Sequence, residues 1–179
     1  MPELSDEIIM NHVKDGNLSE LSALFEKYHV QLYNYLLRLT SDRAVSHDLT
    51  QNLFYRIIKY RHTFNDNYSF KSWIYQMARN IHYDYCTQQK KHTDQYVTVE
   101  EFDENTQEEN NAFNEEEYEK LDHAISKLND EQKEILILSK YQGLKYEEIS
   151  VILNISVSAI KVQVHRALKK LRQIYFKLA

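Results

Sequence analysis

The stretch YEEISVILNISVSAIKVQVHRALKKLR, residues 146–172, decides how the carboxy-terminal part of this chain folds. Tyr146–Leu153 predicts a short helix, and the next three residues, 154–156, predict a turn, because Asn tolerates a left-handed backbone and Ser can cap the helix that follows. A longer helix is expected from Val157 almost to the end. A short helix, a three-residue turn and a longer basic helix form the pattern of a helix-turn-helix, whose second helix enters the major groove of DNA.

Helical spacing places the apolar side chains of this stretch on the inner faces of its two helices. The residues expected inside are Ile149, Ile152, Leu153, Ile155, Ile160, Val164 and Leu171. Those expected to point outward from the last helix are Lys161, Gln163, His165, Arg166, Lys169, Lys170 and Arg172. Lys161, His165 and Arg166 can reach base edges. The residues better placed to contact phosphates are Lys169, Lys170 and Arg172. A solvated basic face is the simpler explanation for that helix alone, but the preceding helix and turn favour DNA binding.

The composition predicts an all-α fold. Only two glycines and one proline occur among 179 residues, and the proline is Pro2, so almost nothing in the interior interrupts a helix or favours a tight hairpin. With 42% hydrophobic residues, the chain can build one medium core or two small ones. Two small helical domains are therefore possible.

Amphipathic periodicity predicts a helical bundle in the amino-terminal half. A short helix is expected at about residues 6–14, before Gly16, and a long one follows with apolar residues at Leu18, Leu21, Leu24, Phe25, Tyr28, Leu32, Leu36 and Leu39. The next helix, at about residues 46–60, carries Leu49, Leu53, Phe54, Ile57 and Ile58. The last, at about residues 70–88, turns Trp73, Ile74, Met77, Ala78 and Ile81 inward.

The net charge of −5 hides an uneven distribution: residues 1–93 carry +1, residues 94–122 carry −11 and residues 123–179 carry +5. Residues 94–117 are rich in carboxylates and lack a helical apolar period, so they predict an acidic flexible linker, with an exposed acidic helix as the alternative for the last third. After it, Asn129 and Gln132 form the pattern of a helix capping box. Residues 155–179 hold six basic side chains and no acidic one, which favours a nucleic-acid partner.

Other classes of function lack their usual sequence features. Cys86 is the single cysteine, no zinc spacing occurs, and His165 has no metal-binding partner at helical spacing. Neither an HExxH motif, nor a Gly-rich phosphate loop, nor a nucleophile elbow is present, so an enzyme is a remote alternative, and no cofactor, metal or small-molecule substrate is expected. The acidic first residues and the short apolar runs predict neither a signal peptide nor a membrane span, and hence a cytoplasmic protein.

The segment RHTFNDNYS, residues 61–69, interrupts two predicted helices with polar residues and two aromatic ones. If Phe64 and Tyr68 are exposed there beside cations, they suit unpaired bases, because every base can stack on an aromatic ring. The alternative is that Phe64 and Phe70 plug the end of the bundle. For Trp73, helical spacing favours a core position, although the edge of its ring can pack in the core and contact a base as well.

The carboxy-terminal stretch, residues 146–172, resembles domain four of sigma factors of the extracytoplasmic-function (ECF) group, a minimal branch of the sigma-70 family. DLTQNLFYRIIKY, residues 48–60, and FKSWIYQMARNIHYDY, residues 70–85, resemble the core-binding and promoter-opening parts of domain two. The matches occur in the expected order and extend over most of the chain. The resemblance implies domain two at residues 1–93, the acidic linker at residues 94–117 and domain four at residues 118–179.

The resemblance also implies roles for individual residues. Those that fall where such factors dock on the coiled coil of the largest polymerase subunit are Asp48, Gln51, Asn52 and Phe54. Those that fall where they grip and open the minus-ten element are Arg56, Phe64, Trp73 and Asn80. Those that fall where the recognition helix meets the minus-thirty-five element are Ser158, Lys161, Val162, His165, Arg166, Lys169 and Lys170.

Some positions depart from the family pattern. Asn154 stands where Gly is more usual in the turn, and Ala159 where Thr is more usual. Val162 and Gln163 replace positions that are commonly Ser and Arg, so the promoter sequence cannot be copied from a relative. Residues 86–89, CTQQ, lie where relatives often carry an Arg cluster, which predicts weaker phosphate contacts from domain two.

These features predict an alternative sigma factor that binds core RNA polymerase and promoter DNA and directs promoter-specific transcription. The resemblance further implies an anti-sigma factor, often membrane-anchored, as a partner. The acidic linker is expected to thread through polymerase, with carboxylates that mimic RNA phosphates. A stand-alone helix-turn-helix activator with an unrelated helical sensor domain is the alternative, and it needs no polymerase contact.

Overall fold

A computed structural model describes residues 4–93 and 115–177 of the chain, and within them it contains helices and no strands. The α-helices are α1 (Asp6–Lys14), α2 (Leu21–Thr40), α3 (Arg43–Tyr60), α4 (Phe70–Thr93), α5 (Glu115–Ser126), α6 (Asp130–Leu136), α7 (Tyr146–Leu153) and α8 (Val157–Tyr175). Two 3-10 turns, Leu18–Glu20 and Arg61–Thr63, precede α2 and follow α3, and a wider π-helical turn, Ile137–Tyr141, extends α6. The all-α prediction is confirmed.

Side-chain caps explain why several helices begin where they do. The Asp42 carboxylate accepts a hydrogen bond from the Val45 N–H at 2.9 Å, so α3 begins three residues earlier than periodicity predicts. Asn129 accepts from the Gln132 N–H at 2.8 Å and starts α6 at the predicted place. Each cap satisfies a backbone donor that the first helical turn leaves without an intrahelical acceptor.

The amino-terminal module, residues 4–93, is a bundle in which α3 and α4 pack on α2 and α1 closes one end. Its buried apolar side chains include Leu24, Leu32, Leu36, Leu53, Ile57, Ile74 and Ile81. Two residues expected inside, Leu18 and Phe25, are each 44% exposed. Leu18 lies in the 3-10 turn that interrupts the predicted helix, and this turn changes the face on which its side chain falls.

The carboxy-terminal module, residues 115–177, packs α5, α6 and α7 around α8. Its buried apolar side chains include Leu128, Ile135, Leu136, Leu138, Ile149, Ile152, Ile160 and Val164. The predicted linker lies outside the described residues as far as residue 114, and from Glu115 onward the chain is helical, as the alternative for its last third predicted. None of the described helices is both long enough and apolar enough to span a bilayer.

The two modules pack on each other and share one continuous apolar core. The contact runs chiefly between α4 and α7, with α2 against the π-helical turn that follows α6. The Tyr75 hydroxyl of α4 donates to Oε1 of Gln142 at 2.7 Å, and the Arg38 guanidinium of α2 lies 3.8 Å from the centre of the Tyr141 ring. The described structure is therefore a closed arrangement of two modules.

Candidate nucleic-acid interface

The turn between α7 and α8 has the geometry that its sequence predicts. Asn154 adopts a left-handed backbone with φ 54° and ψ 44°, and its N–H returns to the Ser150 carbonyl. The Ser156 hydroxyl accepts from the Ala159 N–H at 3.2 Å and caps α8. These local contacts fix the direction in which α8 leaves the turn, and so they orient its outer face.

The recognition face of α8 comprises Ser158, Lys161, Val162, His165, Arg166, Lys169 and Lys170, and all of these side chains are exposed. Ile160, Val164 and Ala167 form the opposite, buried face. Arg172 is exposed as well, whereas Gln163 is half-buried rather than fully outward. No acidic residue occurs in α8, so the recognition face presents positive charge without an internal counter-ion.

A cleft of about 290 Å³ between α3 and α4 brings together three of the four residues predicted for the minus-ten element. The side chains that line this α3–α4 cleft are Arg56, Tyr60, Thr63, Trp73, Gln76, Met77 and Asn80. Trp73 is half-buried and Asn80 is exposed. Tyr60 and Gln76 were not predicted as site residues, although the three- and four-residue spacing of Trp73, Gln76 and Asn80 places them on one helical face.

Phe64, the fourth residue predicted for the minus-ten element, lies outside this cleft and is only 1% exposed. Its ring contacts Trp73 and Phe70 edge-on, with centroid distances of 5.5 and 6.1 Å. Lys14 of α1 donates to the Phe64 carbonyl at 2.9 Å and ties the loop to the bundle. Of the two alternatives for Phe64, the plug is therefore the one observed, and only Tyr68, 53% exposed, extends from the loop as expected.

The residues predicted to bind polymerase lie along α3. Asp48, Gln51 and Asn52 are exposed, but Phe54 is only 8% exposed. The Phe25 ring packs edge-on against Phe54 at 4.7 Å and is itself stacked on His29 at 4.6 Å. The exposed ring that covers Phe54 is thus Phe25 of α2, which periodicity assigned to the core.

No cluster of three or more metal-binding side chains occurs in residues 4–93 and 115–177. Burial raises the pKa of Tyr75 and of Tyr35, each of which lies where the two modules meet. These phenols therefore act as neutral hydrogen-bond donors in the closed arrangement.

The carboxy-terminal module is a capped helix-turn-helix with a basic outer face. It is joined to a helical bundle with a cleft that aromatic and amide side chains line. These features define a two-module helix-turn-helix DNA-binding protein. Residues 24–92 match the family model of sigma-70 region 2, and residues 118–171 match that of sigma-70 region 4. The chain belongs to the sigma-70 family, in its ECF group.

Curated relatives agree with this assignment. The ECF RNA polymerase sigma factor SigM of Bacillus subtilis is 31% identical over 87% of this chain and 94% of its own length. RNA polymerase sigma factor SigZ of the same organism is 31% identical over 84% of each chain, and ECF sigma factor SigX is 28% identical over 84% of this chain and 80% of its own. The chain is accordingly a sigma factor for promoter-specific transcription initiation.

Two solved structures share the fold. The sigma factor RpoE of Bartonella quintana, in a co-crystal with the anti-sigma factor NepR, superposes with a TM-score of 0.74 at 19% identity, over 87% of this chain and 96% of that one. CnrH, in complex with the cytosolic domain of CnrY, has a TM-score of 0.74 at 17% identity, over 97% of this chain and 99% of that one.

Proposed function

We propose that this chain works in the cytoplasm as an alternative sigma factor that joins core RNA polymerase to promoter DNA and performs no chemical step itself. Residues 1–93 act as domain two, residues 94–117 as the acidic linker and residues 118–179 as domain four. One observation carries the proposal: the same chain contains a capped recognition helix and a base-sized cleft. The outer face of that helix has no acidic residue, and the cleft is lined by Arg56, Trp73 and Asn80.

The recognition face of α8 binds the minus-thirty-five element. Lys161, His165 and Arg166 lie on the second and third turns of α8, and side chains of a recognition helix reach base edges in the major groove. Val162, 48% exposed beside them, supplies an apolar contact of the kind that favours a thymine methyl group. Lys169 and Lys170 lie farther along the helix and neutralise phosphates.

The α3–α4 cleft receives an unpaired base of the minus-ten element. Tyr60 and Trp73 offer aromatic surface for stacking, which serves any base once the strands separate. Gln76 and Asn80, one helical turn apart, bring two amides to the same cleft, and amides of this kind pair with the edge of adenine. Contacts in the cleft and with polymerase offset the unpairing cost of a few kcal/mol per base.

The polymerase-binding surface consists of Asp48, Gln51 and Asn52 with Phe25 covering Phe54. An exposed aromatic ring bordered by polar side chains is typical of the anchor of a protein interface. We also propose an anti-sigma factor as a partner, often membrane-anchored in this family. RpoE of Bartonella quintana, which shares the fold, was crystallised with the anti-sigma factor NepR.

The acidic linker passes through polymerase and mimics RNA phosphates there. The net charge of −11 over residues 94–122 supports this role. Replacement of the carboxylates by Ser or Gln is expected to change the yield of short abortive transcripts. An unchanged yield, with full-length transcription intact, would exclude this role.

Run-off transcription with purified core polymerase tests the proposal as a whole. We expect transcripts that start at defined sites only when the chain is present, and a strong loss of open complexes in Gln76→Ala and Asn80→Ala. Gln31→Ala, an exposed amide on α2, is the matched control and should behave like wild type. DNA binding without polymerase-dependent transcripts would instead identify a stand-alone activator.

A further inference from the structure

Helix α1 carries three polar side chains that bind the segment between α3 and α4. This segment, residues 61–69, begins with the 3-10 turn after α3 and ends directly before α4, and we call it the α3–α4 loop. The three side chains belong to Glu7, Asn11 and Lys14, and their spacing of four and three residues places them on one face of α1. That face of α1 therefore presents a row of hydrogen-bonding groups.

Two of these side chains hold the loop itself. Lys14 Nζ donates to the Phe64 carbonyl at 2.9 Å. Because Phe64 is only 1% exposed, water cannot readily replace this donor, and loss of the lysine would leave the carbonyl without a partner. Asn11 Nδ2 donates to the Asp66 carboxylate at 3.1 Å. The loop is thus fixed to α1 where its aromatic ring is buried and again two residues later.

The third side chain fixes the point where the loop ends and α4 begins. The Glu7 carboxylate accepts from the Phe70 N–H at 3.0 Å, and the Ser69 hydroxyl accepts from the Ser72 N–H at 3.1 Å. Both are backbone donors that the first turn of α4 leaves without an intrahelical acceptor. Trp73 follows on the same turn, so these contacts orient the part of α4 that carries its ring.

The α3–α4 loop joins the two walls of the α3–α4 cleft. One wall includes Arg56 of α3 and Thr63 of the loop, and the other includes Trp73, Gln76 and Asn80 of α4. A base held between these walls needs them at a fixed separation. A mobile loop would have to be ordered at each capture, at a cost in conformational entropy. A loop that is ordered beforehand therefore favours capture of the base.

We propose that Glu7, Asn11 and Lys14 are positioning residues for promoter opening, which hold the α3–α4 loop in the conformation that receives an unpaired base. This inference rests on the proposed function of the α3–α4 cleft. The three side chains act through the loop and need no contact with DNA. Their loss should slow strand separation and leave the binding of duplex by α8 unchanged, because α8 lies in the other module.

The kinetics of strand separation test this inference with the full-length chain, core polymerase and a promoter mapped by run-off transcription. Permanganate reactivity of unpaired thymines measures the rate. Asn11→Ala and Lys14→Met should each lower it about ten-fold, as expected for loss of a hydrogen bond to a charged or buried group, and should change the affinity for unopened duplex less than about two-fold. Lys14→Arg keeps a donor and should recover most of the rate. Lys27→Met is the matched control, because Lys27 binds α1 through Asp6 from α2 and does not contact the loop.

Amide hydrogen exchange of the free chain examines the loop without polymerase or DNA. Glu7→Ala releases the Phe70 N–H and should speed its exchange roughly ten-fold or more, whereas Glu7→Gln keeps an acceptor oxygen and should preserve most of the protection. Exchange at Ile160, buried on α8, should be the same in all variants, which shows that the chain remains folded. Glu7→Ala should also slow strand separation, and Glu7→Gln should restore it.

Wild-type rates of strand separation in Glu7→Ala, Asn11→Ala and Lys14→Met would overturn the inference, even with faster exchange in the loop. So would an equal loss of affinity for unopened duplex, or an equal effect of Lys27→Met, since the variants would then act through the general stability of the bundle. Unchanged exchange at Phe70 in Glu7→Ala would show that the contact with Glu7 does not hold the loop. A wild-type chain that yields no promoter-specific transcripts would instead refute the proposed function, whereas exchange would still report whether α1 orders the loop.

Discussion

Replacement of Lys169 and Lys170 by Gln tests the phosphate-binding half of the recognition face. Both side chains are exposed on α8, together with Lys161, Arg166 and Arg172. Each phosphate neutralised by a protein cation contributes about 0.9 to the slope of log affinity against log salt concentration. Loss of two contacts should lower that slope by about 1.8. When the salt concentration rises from about 50 to about 200 mM, both proteins lose affinity. The factor by which affinity falls should therefore be about 12 times smaller for the double variant than for wild type.

Fluorescence anisotropy of holoenzyme on labelled duplex, repeated over a salt series, measures this slope. Because phosphates carry no sequence information, the change should be the same on a promoter and on an unrelated duplex. Lys27→Gln is the matched control, since Lys27 on α2 is an exposed lysine with its ion pair to Asp6 in the same module. A slope unchanged in the double variant, or a loss confined to one promoter sequence, would refute the assignment of these lysines to phosphates.

Three further predictions concern stability. Ile160→Ala empties a fully buried position on α8 and should lower the free energy of unfolding by about 2–5 kcal/mol in urea titrations, and a loss below about 1 kcal/mol would contradict the packing described. At Asn154, with φ 54°, Gly should be tolerated and Val should cost roughly 1–2 kcal/mol, so equal melting temperatures for the two variants would argue against a left-handed turn. Burial lowers the pKa of His82, so its neutral ring stabilises the fold above about pH 6.5 and this stability is lost as the pH falls through the lowered pKa. His82→Gln should lose less stability than wild type between about pH 7.5 and about pH 5.5, and identical losses would show that His82 does not contribute.

The helix-turn-helix was predictable almost residue by residue because its signals are local. The bounds of α7, the left-handed Asn154 and the Ser156 cap all depend on side chains within a few positions of one another. The outer face of α8 follows from the same periodicity. The prediction was wrong for Gln163, which was expected to point outward and is half-buried.

The α3–α4 cleft was predictable in part. Arg56, Trp73 and Asn80 were named from family resemblance, and the structure brings them together. Tyr60 and Gln76 were missed because pairing of two helix faces depends on how α3 and α4 pack, which helical periodicity alone does not specify. For Phe64 the sequence left two alternatives, and packing against Phe70 and Trp73 decided between them.

The amino-acid sequence by itself determined the class of the fold, the order of the helices, the recognition helix and the family, because each of these follows from residue spacing along a short segment. Only the tertiary structure decided that the modules close on each other and that Glu134 is buried. In sequence Glu134 resembles any exposed helical glutamate, since its partners Tyr35 and Arg79 lie 99 and 55 residues away. The desolvation of a charge depends on everything packed around it, and contacts at such separations become visible only when the chain is folded.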